Sequence, residues 1–158
     1  MRRGAVFWGI AGIVGVFADP ISMAGTTDDP FLAAARFALT GTDDTDLVVV
    51  DRADCVFEIR FSVPPPPGYG YERFYLNNVD VSRITFTTLH WRDRPPTVQV
   101  DIRGEGTVHE TVAHGAGVPD IWAKESSRTI GLGPEIERAK RAWQYLYAHG
   151  CHGRKGAF

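Results

Sequence analysis

The chain has 158 residues, with 17 Lys and Arg against 19 Asp and Glu and a formal net charge of -2. That balance excludes a protein that grips nucleic acid through a basic stripe. The length suits one domain able to bury roughly two-thirds of its unfolded surface, so a core forms without metal staples.

Arg2 and Arg3 form a short basic start, and Ala5 to Ala18 is apolar or glycine with no charge. Asp19 and Pro20 end the run, and Ser22-Met23-Ala24 supplies the small-x-small pattern of a peptidase site. This is the three-part layout of a secretory signal. The apolar run, about 14 residues, is shorter than the roughly 20 that a spanning helix needs. Residues 1–24 are therefore expected to be removed after Ala24, with Ala18 the alternative point. Residues 25–158 then form a single exported domain without a stable membrane span. The excess of arginine over lysine, together with the signal, points to a bacterial envelope or secreted protein.

Asp28-Asp29-Pro30 predicts a helix start, an acidic cap followed by proline where its missing N–H costs nothing. Phe31, Leu32, Ala35, Ala38 and Leu39 give that helix an apolar side, and Gly41 ends it. Strands are predicted at Leu47–Val50, at Cys55–Val63 (with Cys55, Phe57, Ile59 and Phe61 on one face), and at Glu72–Leu76. Further strands are expected over Arg83–Trp91, Thr97–Arg103, Thr107–Val112 and Arg128–Leu132. Pro64 to Gly70, Asn77-Asn78, Asp93 to Pro96 and Gly104 to Gly106 are turns or breaks. The last element is a helix from Pro134 to His149, with Ile136, Ala139, Trp143, Leu146 and Tyr147 as its apolar stripe. Glu137 and Arg141 are spaced as an ion pair on its other side, and Gly150 terminates it.

Cys55 and Cys151 are the two cysteines. In an oxidising compartment an even count reads as one disulfide. It would close a loop of about 95 residues, worth roughly 4 to 5 kcal/mol in the chain-entropy model. It would also tie the end of the last helix to the strand that begins at Cys55.

The strand run Cys55–Leu132 followed by the helix Pro134–His149 resembles the pleckstrin-homology-like roll, including its lipid-associated GRAM variety. The resemblance implies an α+β fold, an antiparallel meander rolled or closed into a barrel, with a short N-terminal helix and one amphipathic C-terminal helix packed on the sheet. Phe74-Tyr75-Leu76-Asn77-Asn78-Val79-Asp80, with a cysteine after a terminal helix, also resembles small exported bacterial proteins of unknown function, a likeness that brings no activity with it. A cystatin-like sheet and a β-sandwich with a docked helix remain alternatives. The phosphoinositide binding of pleckstrin-homology domains does not carry over, because the chain lacks a matching basic motif.

His109-Glu110-Thr111-Val112-Ala113-His114 nearly matches a zinc-protease helix, but that chemistry needs histidines four apart. Five apart on a strand, the two histidines point to opposite faces. His149, Cys151 and His152 are metal-binding residue types, yet a disulfide would consume the thiolate. No serine sits in a Gly-x-Ser-x-Gly elbow. Two loops are better suited to contact. Pro64 to Tyr71 is a polyproline stem followed by Tyr69 and Tyr71, and His90 to Pro96 carries Trp91, Arg92 and Arg94 at a turn. Trp and Arg are favoured at binding hot spots, although a tryptophan ending a strand is also an ordinary core residue. The expectation is an exported, non-enzymatic binding or structural protein without cofactor or metal. Its partner would be a protein or another envelope or extracellular component. A small periplasmic enzyme is the alternative.

Overall fold

The computed structural model describes residues 29–43, 46–63, 68–115 and 118–154. The expected signal at 1–24 and the tetraproline 64–67 lie outside the described residues. Helix α1 spans Pro30–Thr40 and is followed by strands β1 (Leu47–Asp51), β2 (Val56–Val63) and β3 (Gly68–Tyr75). Two single 3-10 turns lead to β4 (Thr85–Leu89), β5 (Thr97–Arg103), β6 (His109–Gly115), β7 (Val118–Glu125) and β8 (Ser127–Leu132), and helix α2 (Ile136–His149) closes the order.

The strands form two antiparallel sheets, ordered β1-β2-β3-β6-β7 and β4-β5-β8. They are parts of one long kinked ribbon. Arg103 pairs with Ser127 and His109 with Glu125, so residues 104–108 on one arm stand opposite Ser126 alone on the other. An unequal count across a ladder bends it, as a bulge does. Hydrogen bonds from Gly104 N–H to Ser126 O (2.9 Å) and from Val108 N–H to Glu125 O (2.8 Å) hold the bend. Gly104 is required there, because a Cβ would stand 1.9 Å from the Asn78 carbonyl oxygen.

The expected α+β meander with helices at both ends is present. It is not closed into a barrel, since β1 and β7 lie at opposite edges of the larger sheet and do not pair. Strand β7 fell outside the sequence reading. Gly115, Gly117, Pro119 and Asp120 resemble a loop, but among the described residues β7 pairs only with β6, and an edge strand tolerates proline and charge. β3 begins at Gly68, four residues earlier than expected, so Tyr69 and Tyr71 are strand residues. Cys55 precedes β2 and adopts a left-handed backbone, φ 54°, while Phe57, Ile59 and Phe61 keep their common face.

α1 starts as expected. Asp29 Oδ1 accepts from Phe31 N–H at 3.0 Å, and Gly41 at φ 72° returns its N–H to Phe37 O. The two helices pack together over the face that carries Phe57, Phe74, Val98, Val100, Ile102 and Ile130, all buried. Ala139, Trp143 and Leu146 of α2 are buried in that core, with Ile136 and Tyr147 at its margin. Glu137 pairs with Lys140 at 2.9 Å, rather than with Arg141. Cys55 and Cys151 form a disulfide, with Cα atoms 5.3 Å apart. It joins the turn before β2 to the residue after Gly150, while α2 itself lies on α1 and reaches β4. Among the described residues, no helix is long and apolar enough to cross a membrane.

Candidate functional site

The five-stranded sheet turns its second face away from the helices, and each strand contributes every second side chain to it. Register places Glu58 opposite Arg73, Arg73 opposite Glu110, and Glu110 opposite Lys124. Four adjacent strands thus carry a row of charges that alternates in sign. The next row along the strands holds Arg60, Tyr71, Val112 and Trp122, and the one after it Ser62, Tyr69 and His114.

The side chains of this face bind one another. Glu58 accepts from Arg60 Nε at 2.8 Å and from an Arg73 guanidinium nitrogen at 2.7 Å. Glu110 accepts from the Tyr75 hydroxyl at 2.9 Å and from the Tyr71 hydroxyl at 3.4 Å. Both carboxylates are only 5% exposed although they stand on a solvent-facing sheet surface, because the tyrosines and guanidinium groups close over them. Burial pushes the Tyr71 and Tyr75 hydroxyls up, and Glu110 adds to the effect, so both remain proton donors. The Arg73 guanidinium lies 4.7 Å from the Tyr71 ring centroid and Lys124 Nζ 4.8 Å from that of Trp122. Tyr69 rests on His114 at 5.0 Å, and His114 Nδ1 meets Asp120 at 2.7 Å. Trp122 and Tyr69 remain 64% and 60% exposed. An open trough of about 650 Å³ runs between β2 and β3, lined by Glu58, Arg60, Ser62, Tyr69, Tyr71 and Arg73 among others.

The opposite face of the same strands carries a second polar group at the kink. His109 is completely buried against Phe74, with ring centroids 4.9 Å apart. Its Nδ1 lies 3.0 Å from Glu125, its Nε2 lies 3.8 Å from Glu72, and Arg128 donates to Glu72 at 2.7 Å. These residues come from β3, β6, β7 and β8, so the cluster pins the two sheets where the ribbon bends. His109 Nε2 has no hydrogen-bond partner among the described residues. A His–carboxylate pair is acid–base chemistry in kind, but this imidazole is sealed from any substrate by its burial.

Two carboxylates tie these clusters to pH. For Glu58, burial pushes the carboxyl up, and hydrogen bonds from Arg60 and Arg73 outweigh it, leaving the group below its ordinary 4.5. For Glu72, the His109 ring nitrogen 3.8 Å away lowers it against the effect of burial, and Arg128 adds to the lowering. A carboxylate with a depressed folded-state value contributes stability that is present above the unfolded value and lost as pH falls through the folded one. The urea midpoint should therefore hold steady down to about pH 5 and fall between about pH 5 and pH 3. Glu58→Gln should start lower at neutral pH and show a shallower acid slope. An unchanged slope would remove Glu58 from the account.

The expected contact residues separate into two places. Tyr69 and Tyr71 lie on the outer face just described. Trp91, Arg92 and Arg94 are all exposed in the β4–β5 turn, at the other end of the ribbon, where β5 starts beside Leu132. Trp91 is thus not a core residue, and the two loops do not make one surface. His109 and His114 occupy opposite faces of β6, as their spacing requires. His149 Nδ1 lies 2.9 Å from Tyr145 O, His152 is exposed, and the Cys151 sulfur is bonded to Cys55, so among the described residues the tail assembles no donor set. A separate groove of about 420 Å³, mostly apolar, opens between α2 and β4 and includes Val81, Ile84, Phe86, Trp143 and Tyr147 in its lining.

Sequence reasoning missed Glu58, Arg73, Tyr75, Glu110 and Trp122. A signal was available for β3, where Tyr69, Tyr71, Arg73 and Tyr75 recur at a period of two. Trp122 was hidden with its strand. Comparison of this chain with protein-family models, with curated proteins and with solved structures finds no match, so its functional reading stands on the geometry of this face.

Proposed function

We propose that this chain is an exported, non-enzymatic binding protein that contacts an envelope or extracellular component through the outer face of its five-stranded sheet. The observation that carries the reading is the pair of buried carboxylates, Glu58 and Glu110, locked under arginine and tyrosine side chains beside the exposed Trp122 and Tyr69. Ordinary solvated strand faces leave such groups in water. Here they are used to hold aromatic rings and guanidinium groups in fixed positions, which lowers the ordering entropy lost on binding. Exposed aromatics on a rigid surface are the usual anchors of recognition. Export is supported by the signal-like residues 1–24 and by the Cys55–Cys151 disulfide, a bond at home in an oxidising compartment.

The test is co-sedimentation of the purified chain with isolated bacterial envelopes. Trp122→Ala and Tyr69→Ala should each reduce the sedimented fraction at least about 5-fold, while their melting temperatures stay close to the original, since both side chains are exposed. Trp91→Ala probes the β4–β5 turn in the same assay and should leave sedimentation intact. Loss with Trp91→Ala alone would move the contact surface to that turn. Equal sedimentation of all the variants would end the proposal.

A further inference from the structure

Given that the outer face is the contact surface, we propose that it takes a neutral polysaccharide, laid along β3 across Tyr69, Tyr71 and the trough beside them, with Trp122 flanking. The inference rests on that reading of the face and adds the chemical class of the ligand. The first argument is charge. The row Glu58–Arg73–Glu110–Lys124 alternates in sign strand by strand, and Arg60, His114 and Asp120 continue the mixture around it. A nucleic acid or other polyanion needs a stripe of one sign, and here it would lie against Glu58, Glu110 and Asp120. A polycation would meet Arg60, Arg73 and Lys124. A ligand without net charge meets neither penalty.

The second argument is amphiphilicity. An acyl chain or a dry protein interface would bury the guanidinium groups and carboxylates without replacing the water they lose, and the cores of protein interfaces are depleted in charged residues. A sugar ring presents apolar C–H faces and hydroxyl edges within the same unit. The faces suit the rings of Tyr69 and Trp122, and the edges suit the polar atoms of Arg60, Ser62 and Arg73 lining the trough. The third argument is spacing. Tyr69 and Tyr71 alternate along one strand, so their Cα atoms are about 7 Å apart, and a linear chain following β3 meets one ring and then the next. The Glu110 carboxylate, accepting from the Tyr71 hydroxyl, and the His114 imidazole against Tyr69 keep both rings in place before a ligand arrives.

Calorimetric titration of the full chain with cellohexaose, maltohexaose, laminarihexaose, mannohexaose and chitohexaose tests the assignment. At least one should bind, and Trp122→Ala and Tyr69→Ala should each weaken it about 10-fold or more. Raising the salt from about 50 to about 500 mM should change the affinity less than about 2-fold, because the ligand carries no charge to screen. Heparin and polylysine serve as the charged probes. Binding of either charged probe in preference to every neutral hexasaccharide overturns the assignment, as does hexasaccharide binding that both variants retain. The two failures remain distinct. If Trp122→Ala abolishes envelope sedimentation while no hexasaccharide binds, the glycan is wrong and the surface stands. Protease treatment of the envelopes then shows whether a protein is the partner. If sedimentation ignores Trp122 and Tyr69 as well, both proposals fall.

Discussion

Replacing both cysteines, Cys55→Ser with Cys151→Ser, should cost this domain about 4 to 5 kcal/mol and lower its melting temperature by roughly 10–20 °C. The bond spans a sequence separation of 96, and the unfolded chain regains the freedom of that whole loop when it is cut. The native side adds to the loss. Both cysteines are buried, and the Cys55 carbonyl accepts from Leu76 N–H at 3.1 Å, so the turn before β2, the chain just after β3 and the chain after α2 are all held at one point. Calorimetry of the two forms gives the difference directly. The native chain, denatured without reductant, should show no alkylatable thiol. A loss below about 1 kcal/mol would mean that the unfolded chain is already compact around these residues.

Trp143 should give the largest effect of any single side chain. It is 2% exposed on the inner side of α2, and Trp143→Ala should destabilise by about 3–5 kcal/mol, through lost burial and the cavity left behind. Trp143→Phe should lose clearly less than its reduction in volume suggests. The indole N–H has no hydrogen-bond partner among the described residues, and removing an unsatisfied buried donor recovers part of the cost. Urea titrations of both variants measure the contrast. If the Phe variant loses as much as the Ala variant, the N–H is engaged after all, and its partner is worth finding.

These two results concern the parts of the molecule that were most legible in its sequence. The helix at Pro30–Thr40 was readable because Asp29, Pro30 and Gly41 act within one turn of the backbone they cap. α2 was readable because Ala139, Trp143 and Leu146 repeat at the helical period. The pairing of the cysteines needed only their count and a compartment. β5 was placed at Thr97–Arg103 from its alternation, and the face shared by Phe57, Ile59 and Phe61 survived although Cys55 itself is a turn residue. Edge strands are harder. β7 answers to one neighbour only, so Pro119 and its charges are tolerated, and local propensity points away from the true state.

The candidate site was legible only in fragments. Tyr69 and Tyr71 were visible as aromatics near a proline run, and a loop tip was the natural place to put them. Their real position depends on β3 extending back to Gly68, which β2 and β6 enforce from either side through ladder hydrogen bonds. Glu58 and Glu110 gave no local sign, because nothing in a sequence says that two carboxylates far apart in the chain flank one arginine across adjacent strands. Trp91 was ambiguous for the same reason, since core and solvent are properties of the neighbours.

By itself, then, the order of residues determined what is local: the caps, the periods of two and 3.6, the turns and the arithmetic of two cysteines. Each depends on a few consecutive side chains acting on their own backbone. Tertiary structure alone decided the kink at Ser126, the open sheet edges, the burial of His109 and the alternating row from Glu58 to Lys124. Those follow from register and from inter-strand packing. A one-residue shift in any of the pairings would turn every side chain of that strand to the other face, so the site exists only once the whole sheet has settled its register.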